Sequence, residues 1–227
     1  VPAARCRRWP GRPGWAWVLG LTALAYALTG WLALKLAVAP GYATSLYPAA
    51  GIALAAALVY GRAAVAGVAL GALAVNLGLS AARGPLDLAG LLVPVAIGAG
   101  AALQAQAGRW LVQRYVAMPL NLTLPRDIWR FLLLAGPVAC GVNASLSTLT
   151  LGVSGLVPVN ALPFTGWTWW IGDSLGVLIG APAVLALIGQ PRNAWAPRRS
   201  TVALPLAAVT LLLVAATLVV NRWDEQR

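Results

Sequence analysis

The chain has 227 residues, of which 60% are hydrophobic and 9% charged, and its mean hydropathy of +0.80 excludes an ordinary soluble domain. Sixteen basic against five acidic residues give a formal charge of +11. The arginines lie in short loops and tails beside apolar runs, a pattern that orients a membrane protein and meets anionic headgroups rather than nucleic acid. Histidine is absent, which removes histidine-ligated haem, ordinary zinc catalysis and serine–histidine hydrolysis.

Residues 1–14 carry Arg5, Arg7, Arg8 and Arg12 among Pro and Gly and read as a basic cytoplasmic tail. The apolar run Trp15–Ala39 is too long for a signal-peptide core and predicts a retained first helix, with Lys35 snorkelling from its far end. Pro40-Gly41 predicts a turn. A second span over Ala43–Tyr60 and a third over Ala63–Leu79 meet at Gly61-Arg62. One helix through both would be about 55 Å long against a hydrocarbon core of ~30 Å, so a tight hairpin is expected. Gly67 and Gly71 place small residues one turn apart on its second arm.

The fourth span runs from Leu86 to Trp110 with Pro94 inside it, and a polar connection follows. The fifth covers Ile128–Leu151 and is interrupted by Gly136-Pro137. An uncharged loop rich in Gly and Pro is expected over 152–164, then a sixth span to Ile188 and a seventh over Thr201–Val220. Cys6 and Cys140 stand in a basic tail and in mid-span, so no disulfide is expected. The fold class is all-α, a polytopic transmembrane helical bundle of about seven spans with short loops, occupying residues 15–221.

With the amino terminus inside, Arg5, Arg7, Arg8, Arg12, Arg62, Arg109, Arg114, Arg126, Arg130, Arg192, Arg198 and Arg199 fall on the cytoplasmic side. Arg83, Arg222 and Arg227 fall outside. That asymmetry is the positive-inside pattern of a multi-pass membrane protein with its amino terminus in the cytoplasm.

The sixth span holds the chain's most informative stretch, Trp167-Thr168-Trp169-Trp170-Ile171-Gly172-Asp173. A carboxylate at mid-span costs about 2.5–3.5 kcal/mol on insertion scales, so a partner or a role must offset it. Trp169 and Trp170 precede Asp173 by four and three residues and are expected on its face. Gly172, Gly176 and Gly180 form a strip for close helix packing, and Pro182 loosens the helix just beyond. The topology brings Tyr47, Asn76, Asn143, Trp169, Trp170 and Asp173 to one depth in the outer half of the membrane, a candidate ligand-binding pocket, while Gln104 and Gln106 fall in the inner half. The alternative is that the tryptophans are an interfacial belt and the asparagines interhelical hydrogen-bond glue. Asp87 and Asp127 sit at span ends, where solvation accounts for them. No phosphate loop, metal-ligand spacing or paired carboxylates occur, so no catalytic residue, cofactor or metal is expected.

Tyr47-Pro48-Ala49-Ala50-Gly51-Ile52-Ala53-Leu54 resembles the Trp-Pro-x-x-Gly-hydrophobic signature of bacterial membrane-associated sensor domains of type one, with Tyr47 for the usual Trp. The stretch from Gly61-Arg62 to Val75-Asn76-Leu77 is similar to that family's next hairpin. Trp169-Trp170-Ile171-Gly172-Asp173-Ser174-Leu175-Gly176-Val177-Leu178, through to Pro182, resembles its Trp-Trp-x-Gly-Asp-x-x-Gly block. The resemblance covers about residues 15–221. It implies a sensory membrane module of a histidine kinase, diguanylate cyclase or phosphodiesterase, commonly with about eight spans and dimeric in the full-length receptor. It also implies that the polar tail 222–227 leads into downstream domains. The expected function is to bind an unidentified small ligand from the outer side and relay a change in helix packing. A small-solute transporter or substrate-capture subunit is the alternative, supported by glycine- and proline-broken helices around a polar site. A scaffold for another membrane protein is a third reading.

Overall fold

The computed structural model describes residues 14–35, 37–38, 41–212 and 215. The basic tail, Cys6, Pro40, the end of the seventh span and the polar tail 222–227 lie outside them. Helix α1 is Trp15–Leu34. Strands β1 (Ala37–Val38) and β2 (Ala43–Thr44) form one short antiparallel pair. Helices α2 (Pro48–Tyr60), α3 (Arg62–Arg83) and α4 (Leu88–Tyr115) follow. Then come α5 (Pro125–Val153), α6 (Val159–Ile188), the short α7 (Arg192–Trp195) and α8 (Arg199–Leu212). Five helices, α1, α3, α4, α5 and α6, are long and apolar enough to cross a membrane, while α2 and the described part of α8 are shorter. The protein is a multi-pass all-α bundle.

Helix α2 explains the arrangement. It is apolar all round and touches α1, α3, α4 and α6, so it is the central helix of a ring. Ala49, Ala53, Ala55 and Ala57 are almost completely buried, and such short side chains let four neighbours close on one axis. Thirteen residues rise only about 20 Å. The second span was expected from Ala43, but the helix begins at Pro48, whose missing N–H and fixed φ suit a first helical position. Ala43 and Thr44 instead pair with residues 38 and 37. Residues 43–47 therefore enter the bundle as extended chain, which a membrane protein tolerates only where protein surrounds it. Gly61 takes φ of +73° and reverses the chain into α3, giving the expected hairpin.

The glycine strip of α6 fixes α2 in place. A Cβ at Gly172 would stand 2.0 Å from the Thr44 carbonyl oxygen, and one at Gly176 would stand 1.9 Å from that of Tyr47. Gly51 returns the contact, with the Gly176 carbonyl oxygen 2.3 Å from its missing Cβ. The Tyr47 N–H donates to the Gly172 carbonyl at 3.0 Å, so backbone meets backbone along this seam. Gly67 and Gly71 of α3 admit α1 in the same way, against Leu19, Thr22, Ala23 and Tyr26.

The fifth and sixth spans remain continuous through single π-helical turns, Leu134–Val138 around Pro137 and Gly176–Gly180 just before Pro182. A wider turn accommodates the proline ring and its missing donor without a break. The loop expected over 152–164 is shorter, because a 3-10 turn at Val159–Ala161 leads into helix at Leu162. Asp87 caps α4 by accepting from the Gly90 N–H at 2.7 Å. Asp127 differs from the expected solvated residue: it is 4% exposed, in the first turn of α5, where the helix dipole favours a carboxylate, and its Oδ1 lies 3.9 Å from Arg126 Nε. Cys140 is buried and free.

Gly176→Ala is expected to destabilise the chain by about 1–3 kcal/mol or to prevent folding, because the seam has no space for a methyl group. Gly141→Ala has open space around the new Cβ. It should be neutral or stabilising by up to about 1 kcal/mol. Unfolding of the two purified variants in mixed micelles checks both outcomes.

Candidate functional site

Asp173 sits in the middle of α6, 2% exposed. Asn143 of α5 donates from Nδ2 to Asp173 Oδ2 at 3.2 Å, and Ser147, one turn along, donates from Oγ to Asn143 Oδ1 at 2.9 Å. Gln104 of α4 and the Trp169 indole are also within hydrogen-bonding reach of the carboxylate. Gly100 makes room for this chain, since a Cβ there would stand 2.5 Å from Asn143 Oδ1. Three helices thus converge on one acid. Asp173 makes no ion pair among the described residues.

Above the carboxylate lies a cavity of about 20 Å3, lined by Tyr47, Asn76, Asn143, Trp169 and Asp173 together with Tyr26 and Ile97. Five of the six expected pocket residues meet there. Tyr26 and Tyr47 stand edge to face with ring centroids 6.0 Å apart, and their hydroxyls are hydrogen-bonded. Gly30 of α1 leaves the space that the Tyr47 hydroxyl fills. Asn76 lines the wall but donates to the Ala72 carbonyl of its own helix at 2.9 Å. The Tyr47 hydroxyl is level with Val75, eight residues before the end of α3 and therefore about 12 Å below it.

Residues Tyr42, Ala43 and Thr44 roof the cavity. Arg83 at the end of α3 donates to the Gly41 carbonyl at 3.0 Å and lies 3.6 Å over the Tyr42 ring. This cation–π contact pins the hairpin across the bundle end.

Trp170 is placed elsewhere. Adjacent residues on a helix are about 100° apart, and its indole turns to α5, donating to the Pro137 carbonyl at 2.8 Å. There it stacks beside Trp167, centroids 5.2 Å apart, in a separate groove of about 780 Å3 that opens sideways between α5 and α6. Tyr26 lines the cavity, and Gln104 and Ser147 join the hydrogen-bonded cluster around Asp173, although the sequence did not single them out with that acid. Ser147 could have been found by its one-turn spacing from Asn143. Gln104 was placed too deep because α4 continues to Tyr115, five residues beyond the expected end.

The MASE1 family model matches residues 18–222. The chain belongs to the MASE1 family. MASE1 is a membrane sensory domain family found in signalling proteins. The resemblance carried by the Tyr47–Leu54 and Trp169–Pro182 blocks leads to this family, and in this chain those blocks are the two sides of the glycine seam. No curated protein and no solved structure matches the chain.

A double-mutant cycle on Asn143→Ala and Asp173→Ala is expected to give a coupling energy of about 0.6–1.7 kcal/mol, the range for interhelical hydrogen bonds in membranes. Ser147→Ala should cost less than Asn143→Ala, because it leaves the carboxylate its donor. Additive unfolding energies would show that the Asn143–Asp173 bond contributes nothing.

Proposed function

We propose that this MASE1 module senses a small ligand at the Asp173 cavity and transmits occupancy to signalling domains joined to its carboxy-terminal side. The observation that carries the reading is the buried Asn143–Asp173 hydrogen bond beneath a cavity closed by a pinned hairpin. An intramembrane acid without a basic partner is most simply explained by a site.

Orientation follows from charge. The bundle end holding Arg62, Arg109, Arg114, Arg130, Arg192 and Arg198 is the cytoplasmic one in this reading, and the hairpin end faces the periplasm of an inner membrane. Ligand then arrives at Tyr42 and Thr44 from outside.

The route inward is the seam. Movement of residues 44–51 against Gly172, Gly176 and Gly180 repositions the inner half of α6, and the π turn at Gly176–Gly180 is where the helix ladder has an alternative register. At the inner end Leu185 and Ala186 pack with Val116, Phe131 and Trp195. The Trp195 indole donates to the Leu120 carbonyl at 2.9 Å, Arg198 donates to the Asn121 carbonyl, and Arg199 donates from Nε to the Ala186 carbonyl at 3.3 Å. This elbow ties the end of α6 to the start of α8, which leads onward. Such a relay works only if ligand binds two packings unequally.

Joining the chain to a cyclic-di-GMP-forming reporter domain after Arg227 tests this. Asp173→Asn is expected to change cellular cyclic-di-GMP about fivefold or more, in line with typical coupling energies, at unchanged membrane abundance. Trp195→Phe, which loses the bond to Leu120, should blunt any response to Asp173→Asn. Equal output from all variants would refute the relay.

A further inference from the structure

We infer that the species seated against Asp173 is a single dehydrated monovalent alkali cation. The inference rests on the sensor reading of this cavity and narrows the ligand class.

Size comes first. A cavity of about 20 Å3 has room for one water-sized occupant. Pockets for organic ligands span about 300–1,000 Å3. Sodium and potassium ions without their hydration shells are water-sized, whereas an organic solute is not.

Charge comes second. Asp173 brings one negative charge into the bundle, and the arginines near the site in sequence lie at helix ends. One carboxylate balances one monovalent ion. A divalent or transition metal would need more, and no group of three His, Cys, Asp or Glu occurs among the described residues. An anion would meet the carboxylate at close range. The amide and indole donors around Asp173 hold the carboxylate in place without supplying a counter-charge.

Donor chemistry comes third. Hard cations take oxygen ligands. Besides the carboxylate, the cavity lining carries further oxygen-bearing side chains, Asn76, Asn143, Thr44, Tyr26 and Tyr47. A carboxylate without a counter-charge costs free energy in this setting, and a cation seated against it offsets that cost. Extended chain entering a bundle at depth, as residues 43–47 do, is also where membrane proteins build cation sites.

The experiment uses the purified chain in detergent micelles, with thermal unfolding followed in sodium, potassium or choline chloride at constant ionic strength and pH. A bound cation stabilises the native state by mass action, so the midpoint is expected to climb with the logarithm of sodium or potassium concentration and not with choline. Asp173→Asn should flatten that dependence. Asn76→Leu, which removes an amide oxygen from the lining, should shift it to about tenfold higher cation concentration, and Gly141→Ala should leave it intact. Equilibrium binding of radiolabelled sodium to the unaltered chain gives a direct reading if Asp173→Asn does not fold.

Identical midpoints in the three salts, with no sodium bound, would overturn the inference in favour of a buried water. A midpoint that follows pH alone would also overturn it and name the proton. The titratable groups that face Asp173 in that case are Tyr26, Tyr47 and Cys140. Neither result touches the reporter output of Asp173→Asn. Conversely, an unchanged reporter with intact cation binding would remove signalling and leave the site.

Discussion

The structure depends on one close approach, that of Gly172, Gly176 and Gly180 to residues 44–51. Water drives no association between apolar helices inside a bilayer, so packing distance and backbone hydrogen bonds must do it. Here the Tyr47 N–H bonds directly to the Gly172 carbonyl, and Gly51 answers Gly176 across the seam. With side chains at those positions α2 could not sit at the centre. Tyr47 would then leave the wall of the cavity, and the hairpin above it would lose its anchor.

The same seam explains how a carboxylate survives at this depth. Asp173 lies one residue beyond Gly172, so the turn of α6 that packs on extended chain also turns the acid toward α4 and α5. The donors it meets come from other helices, Asn143 and Gln104, and Trp169 closes the side. The cost of the charge and the closeness of the packing are linked through one helical turn. A change that loosens the seam also strips the acid of its partners.

Much of this was legible beforehand, and the reasons differ by residue. The spans are long apolar runs, so their existence and order could be read directly. Gly61 announced a reversal because two spans in line would be too long for the membrane. The glycine period in α6 announced a close neighbour but could not say that the neighbour was partly extended chain. Residues 43–47 follow the turn and run straight into an apolar helix, and their departure from helix is imposed by pairing with 37–38 and by Pro48. Depth counting assembled five of the six pocket residues. It failed for Gln104, where the end of α4 was misjudged. Trp170 was misassigned by azimuth: an interval of three residues from Asp173 is compatible with the same face, but the Pro137 carbonyl on α5 captured the indole.

The central position of α2 has a consequence for how the protein is made. The Tyr47 N–H has no partner until Gly172 arrives, 125 positions later. At about 5–20 residues per second, synthesis of the intervening chain takes roughly 6–25 s. During that interval α3 and α4 are made and join α1, while α2 is too short to cross on its own and lacks the surface of α6. The contacts of α2 with the glycine face of α6 can therefore form only after the amino-terminal half has been made. The last long span completes the bundle in a late step by bringing the glycine face against the waiting segment. Biogenesis of this module is gated from its carboxy-terminal third, and a ribosome stalled before α6 leaves a product that no amount of local helix propensity can finish.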